Sequence, residues 1–336
     1  MSHSKLAAQE QHMFRTSGLH HLTAIASDPQ RNVDFYAGIL GLRLVKQTVN
    51  FDDPDTYHLY YGDGTGRPGS ILTFFPWPTA RRGRVGAGQV AETQLAIPTG
   101  ALAFWIQRLT AHQIAFAGPL RRFEHEAVLT FTDHDGMPLA LVATDAAGTL
   151  PGWAGDGVPE VMSIRGLHAV TLWVQRRAET AQVLTGTLGF RELATQGDIV
   201  RHAVADAVPG TMVDIRELPA GLGGTGGAGT VHHVAFRAAD DDFEFGIRAQ
   251  VSAAGLSITG QIDRTYFRSM YFREPGHVLF ELATDGPGFT VDEADAALGT
   301  TLQLPPQHEH LRDSLIERLV PLRRPDRMPA TSEMLS

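Results

Sequence analysis

Gly18-Leu19-His20-His21-Leu22-Thr23-Ala24-Ile25 is the stretch that decides the fold of this 336-residue chain. It is a β-strand opened by a pair of histidines. A second pair opens another strand, Thr230-Val231-His232-His233-Val234-Ala235-Phe236. A lone carboxylate then stands in a third apolar run, His277-Val278-Leu279-Phe280-Glu281-Leu282-Ala283. Two imidazoles and one carboxylate on strands are the donors of a facial metal site that leaves positions open for other ligands. An unpaired carboxylate in an apolar strand is costly to bury, so Glu281 calls for cationic company.

Working outward, the first stretch is the head of a unit that recurs. From Gly18 to about Pro78 the chain reads strand Leu19–Ala26, then a helix capped by Asp28 with Pro29 at its first position. Val33, Tyr36, Ile39 and Leu40 recur at helical spacing, and Gly41 ends the helix. Strand-like runs Leu42–Val49, Thr56–Tyr61 and Ser70–Phe75 follow. Around residues 163–219 the pattern returns: Gly166-Leu167-His168-Ala169-Val170-Thr171 matches the opening, and Pro209-Gly210-Thr211-Met212-Val213 matches Pro68-Gly69-Ser70-Ile71-Leu72. Two further units, about 88–145 and 229–285, end alike in Val142-Ala143-Thr144 and Leu282-Ala283-Thr284.

The expected fold is therefore α+β, with four βαβββ modules forming two cup-like mixed β-barrels. Residues 1–150 carry the first pair of modules (18–80 and 88–145). Residues 151–336 carry the second pair (163–219 and 229–285) and a C-terminal helix over Gln303–Leu322, with a frayed end from Pro325. Segment 145–162 reads as the linker.

Strand side chains alternate faces, so His21 and Thr23 share one face and His20 and Leu22 the other. Aligned on the module endings, the position of His21 is held by Gln94, Ala169 and His233 in modules two to four. That of Glu281 is held by Phe74, Leu141 and Ile215 in modules one to three. Modules one and four then pool His21, His233 and Glu281 around one ion, while modules two and three hold no such set. Imidazole with carboxylate suits Fe(II), with Mn(II) the alternative, better than thiolate-seeking metals.

Composition narrows the function. A net charge of −9 argues against nucleic acid or an anionic membrane as partner. Arg81-Arg82-Gly83-Arg84 is local and reads as a solvated loop. The absence of cysteine excludes disulfides, iron–sulfur clusters and cysteine nucleophiles. Met1–Phe14 lacks the apolar core of a secretory signal, and no run approaches the roughly 18 apolar residues of a membrane span, so the cytoplasm is expected. Gly221-Leu222-Gly223-Gly224-Thr225-Gly226 matches a dinucleotide fingerprint in letters alone. A strand follows it instead of a helix, so it reads as a connector. His308-Glu309-His310 lacks the spacing of a helical zinc motif and reads as a solvated face. The sequence leaves a homo-oligomer open.

Beside these residues the chain resembles the vicinal oxygen chelate superfamily. It is most similar to its ring-cleaving hydroquinone dioxygenases, those of the 2,6-dichlorohydroquinone 1,2-dioxygenase type. Besides the two His-His strands, Tyr57-His58-Leu59-Tyr60-Tyr61-Gly62-Asp63 and Tyr266 through Glu281 carry the likeness. The resemblance implies Fe(II) on His21, His233 and Glu281. It implies substrate-side or supporting roles for His20, Thr23, His232, Arg264 and Tyr271. It implies insertion of O2 into a hydroquinone- or catechol-type ring. Two other functions fit the same donors: a glyoxalase-like lyase or isomerase using a non-redox metal, and a non-catalytic binder of phenolic or quinone-like compounds. For Arg264 the plain alternative is an ion pair with Asp263 or another surface acid.

Overall fold

The computed structural model describes residues 14–324. The expectations for the N-terminus before Phe14 and for the end from Pro325 lie outside the described residues. Module one contains β1 (Leu19–Ala26), α1 (Pro29–Val33), β2 (Arg43–Val49), β3 (Tyr57–Gly62) and β4 (Ile71–Pro76). Asp28 caps α1, its carboxylate accepting from the Arg31 amide at 2.9 Å. The expected single helix instead continues as a π-helical turn, Asp34–Ile39. The wider turn buries Phe35 and Tyr36 together and brings the Tyr36 hydroxyl 2.9 Å from Asp133.

Module two contains β5 (Gln89–Ile97), α2 (Leu102–Ala111), β6 (Phe116–Arg122), β7 (Glu126–Thr132) and β8 (Pro138–Ala143). Module three contains β9 (Leu167–Val174), α3 (Arg177–Gly186), β10 (Arg191–Gln196), β11 (Ile199–Ala203) and β12 (Met212–Glu217). Module four contains β13 (Thr230–Ala238), α4 (Asp241–Ala253), β14 (Ile262–Asp263), β15 (Phe267–Arg273) and β16 (Leu279–Pro287).

The strands form two curled mixed sheets of eight, ordered β14-β15-β16-β13-β1-β4-β3-β2 and β10-β11-β12-β9-β5-β8-β7-β6. Modules one and four share the first sheet, and modules two and three the second. The seams are antiparallel: Leu22 pairs with Val234 across β1 and β13, and Val170 with Thr93 across β9 and β5. Each seam relates its two modules by a pseudo-twofold.

The ladders correct the register read from the module endings. Thr23 pairs with His233, and Thr171 with Glu92, so Glu92 and not Gln94 stands where His233 stands. Two residues beyond each such position, the parallel ladders join Thr23 to Thr73, Gln94 to Ala140, Thr171 to Asp214 and Ala235 to Glu281. Thr73, Ala140 and Asp214, not Phe74, Leu141 and Ile215, are therefore the counterparts of Glu281. Bulges in the seams, at Thr23/Ala24 and Val90/Glu92, shift the phase and have no signature in the module endings.

The second cup thus keeps two carboxylates at ligand-like positions, and each is neutralised. Arg122 holds Glu92 at 2.5 Å. Arg201 holds Asp214 at 2.7 Å and also binds Glu126, which His168 contacts at 2.7 Å. Gln94 donates to Asp214 at 2.9 Å.

The Gly-rich connector leads into β13, as expected. Its residues 222–228 are stitched to residues 81–87 by backbone hydrogen bonds. The C-terminal segment is not one helix. Pro305 and Pro306 start a 3₁₀ turn, Pro306–Leu311, and only Arg312–Arg318 (α5) is α-helical. His308 contacts the Phe51 carbonyl at 2.9 Å, and Glu309 pairs with Arg312. No helix among the described residues is long and apolar enough to cross a membrane.

Candidate metal centre

The seam between β1 and β13 sets His21 beside His233, and the β13–β16 ladder brings Glu281 up against both. Their donor atoms lie within 4.8 Å of one another, the only such group of metal-capable side chains among the described residues. All three are buried, Glu281 completely. Nε2 of His21 lies 3.3 Å, and Nε2 of His233 2.8 Å, from Glu281 Oε2. Yet among the described residues His233 Nε2 and Glu281 Oε2 make no hydrogen bond of acceptable geometry. Buried polar atoms rarely go unpaired, and a set of lone pairs facing one point is what a cation satisfies. Burial opposes ionisation of Glu281, but the two histidines outweigh it and hold the carboxyl well below its ordinary range.

Hydrogen bonds fix which ring nitrogen of His21 is bare. The Thr284 carbonyl can only accept, so His20 donates to it from Nε2 at 3.1 Å. His20 Nδ1 must then accept, and its contact with His21 Nδ1 at 2.9 Å places the proton on His21 Nδ1. His21 Nε2 is left with its lone pair toward Glu281. His232 and His233 repeat the arrangement, Nδ1 to Nδ1 at 2.8 Å. Glu281 Oε1 accepts a short hydrogen bond from Ser269, freeing Oε2 for the centre. Metal-ligating histidines and carboxylates are generally oriented by such outer partners.

The centre forms one wall of a cavity of about 500 Å³. Of the five supporting residues expected from the sequence, Thr23, His232, Arg264 and Tyr271 line it. His20 does not: it is buried behind His21, against Phe267. His232 is exposed toward the cavity, though burial of much of its ring and then the neighbouring His233 push its pKa down to about 4. Arg264 lies 5.5 Å over the Tyr271 ring and pairs at 3.3 Å with Asp52, not with its neighbour Asp263. Phe51, Phe75, Trp77 and Phe267 give the cavity aromatic walls.

Sequence reasoning missed Ser269, His58, Tyr60 and Thr73. His58 and Tyr60 line the cavity, and His58 is kept neutral, chiefly by burial and then by the nearby imidazoles. The signal for Ser269 was its spacing: two residues before Tyr271, on the strand beside Glu281, it faces the same way.

The model of the glyoxalase/bleomycin resistance protein/dioxygenase superfamily matches residues 18–141 and again 166–282. The chain belongs to this superfamily. It is 43% identical over 307 residues to MhqO of Bacillus subtilis, a candidate ring-cleaving dioxygenase, covering 91% of this chain and 97% of that protein. It is 32% identical over 311 residues to the chlorohydroquinone/hydroquinone 1,2-dioxygenase of Sphingobium indicum, covering 91% and 96%. The crystal structure of a candidate dioxygenase from Bacillus subtilis superposes with a TM-score of 0.88 at 43% identity, covering 92% of this chain and 98% of that one. The enzyme class is that of the ring-cleaving dioxygenases.

Proposed function

We propose that this chain is an Fe(II)-dependent dioxygenase that opens a hydroquinone- or catechol-type ring and adds both atoms of O2 to the product. The observation that carries the reading is the convergence of His21 Nε2, His233 Nε2 and Glu281 Oε2 on one wall of an aromatic-lined cavity. Two neutral imidazoles and one carboxylate leave a divalent ion with net positive charge and open coordination positions. Fe(II) there supplies one-electron chemistry between an electron-rich aromatic diol and O2. The relatives' likeness supports the substrate class.

The remaining residues bind and orient. Phe51, Phe75 and Trp77 exclude water and stack against a ring. Arg264 offers a planar fork of donors to a phenolic oxygen. Tyr271, its ionisation pushed up first by burial and then by Glu281, stays a phenol and donates a hydrogen bond. His232 presents Nε2 to the cavity, where it takes or returns the proton of a substrate hydroxyl. His20 acts through His21, holding its tautomer.

The test is metal analysis of anaerobically purified protein, followed by oxygen-electrode assays on hydroquinones and catechols. Methylglyoxal–glutathione hemithioacetal serves as the non-redox alternative substrate. Oxygen uptake with a diol, lost when the metal is oxidised or replaced by Zn(II), is expected. Isomerisation of the hemithioacetal without oxygen uptake by any diol overturns the reading.

A further inference from the structure

The pseudo-twofold of the first cup relates modules one and four residue by residue, and the module-one side carries a hydrogen-bonded chain. Thr73 occupies the position of Glu281, since Thr23 faces Thr73 as Ala235 faces Glu281. Tyr60 pairs with Thr73 as Tyr271 pairs with Glu281. His58, two residues before Tyr60, stands where Ser269 stands before Tyr271. The hydrogen bonds follow the same relation. Ser269 binds the Glu281 carboxylate; His58 Nε2 binds Thr73 Oγ1 at 2.8 Å. The chain extends at both ends: Tyr60 Oη lies 2.9 Å from His58 Nδ1, and Thr73 Oγ1 lies 2.8 Å from Thr23 Oγ1.

Counting hydrogens gives this chain a direction. Among the described residues the Tyr60 hydroxyl has His58 Nδ1 as its one hydrogen-bonding partner, and the buried phenol keeps its proton. That proton goes to Nδ1. A neutral imidazole has one N–H, which must then be on Nε2, donating to Thr73. Thr73, having accepted from His58, donates its own hydrogen to Thr23. Thr23 therefore keeps its hydrogen free, on the same strand face as His21 and in the wall of the cavity.

We propose that His58 is a positioning residue: fixed by Tyr60 and acting through Thr73, it makes the Thr23 hydroxyl a hydrogen-bond donor to a ligand oxygen held beside His21. With the opposite direction Thr23 would donate to Thr73 and offer the cavity only a lone pair. The catalytic part of this inference rests on the dioxygenase reading; the tautomer of His58 does not.

The experiment has two arms. The first is ¹⁵N NMR of histidine-labelled, Zn(II)-loaded protein, with the His58 signals assigned by their loss in His58→Gln. The Nε2–H tautomer is expected, and in Tyr60→Phe that preference weakens. An Nδ1–H tautomer in the wild type overturns the proposal. The second arm is oxygen uptake at saturating hydroquinone. Thr73→Val is expected to lower kcat roughly tenfold or more, with KM and iron content within about twofold, and Thr73→Ser to restore it. Equal losses in Thr73→Val and Thr73→Ser, or no loss in either, overturn it. A wild type that consumes no oxygen with any diol defeats the dioxygenase reading instead, and the tautomer arm then decides the direction of the chain.

Discussion

Glu281 is the residue on which the centre turns. Glu281→Gln keeps the shape but removes the charge that two buried imidazoles face; iron content by elemental analysis is expected to fall from near one per chain to near zero, with the circular dichroism of the fold intact. The two outer histidines separate by where they sit. His20→Ala unpins His21 and is expected to weaken iron binding by roughly 10–100-fold. His232→Ala removes the Nδ1 partner of His233 but also a cavity-facing group with no carbonyl anchor like that of His20, and is expected to lower kcat more than iron affinity. Iron titration beside oxygen-electrode kinetics distinguishes them, and a pair of variants with the same profile would contradict this division. The three candidate ligands could be picked out in the sequence, and the fold brings them together, because histidines and a carboxylate in apolar strands are conspicuous. His58, Tyr60 and Thr73 were not, since their types are ordinary in strands and only cross-strand pairing reveals the chain they make.

Strands and their junctions decide whether these residues meet. β1 begins at Gly18, whose φ is +127° and whose position leaves no room for a side chain: a Cβ there would lie 2.4 Å from the Gly210 carbonyl oxygen. Gly18→Ala is expected to destabilise the protein by about 2 kcal/mol or more, read as a lowered urea midpoint at unchanged m-value. An unchanged midpoint would show that the crossing of modules one and three is not held there. Element order was readable from glycines, the Asp28 cap and apolar periodicity, and the four strands of module one fall within a residue of expectation. Two features escaped. The π-helical turn at Asp34–Ile39 depends on what Phe35 and Tyr36 bury against. The register of β5 and β8 depends on seam bulges, which module endings do not encode.

At the scale of the whole molecule, the cups divide the labour. The first gathers unpaired donors; the second closes the corresponding carboxylates in ion pairs. Arg201→Met leaves Glu126 and Asp214 buried without their cation, and is expected to cost about 3–5 kcal/mol while iron per folded chain is unchanged. A charge outside both cups sets part of the pH dependence. Burial, more than the neighbouring Asp241, raises Glu244 from 4.5 to about 7, and its Oε1 has no partner among the described residues. The folded chain holds that proton up to about 7 while the unfolded chain releases it near 4.5, so this group's contribution declines as pH rises between those values. Glu244→Gln is expected to gain stability relative to wild type across that window, measured by urea unfolding at each pH; a constant difference would refute the assignment. The pairing of module one with four followed from His21, His233 and Glu281, and the sheets agree; the exclusion of modules two and three rested on the wrong counterparts, and the charges that fill the second cup needed the ladders. The most direct measurement is a single turnover: iron-loaded protein with hydroquinone bound under anaerobic conditions is mixed with ¹⁸O2 and the product weighed by mass spectrometry. A ring-opened product carrying two ¹⁸O atoms, formed by the wild type and not by Glu281→Gln, is expected. A quinone without label, or unchanged hydroquinone on a fully iron-loaded centre, would contradict ring cleavage at His21, His233 and Glu281.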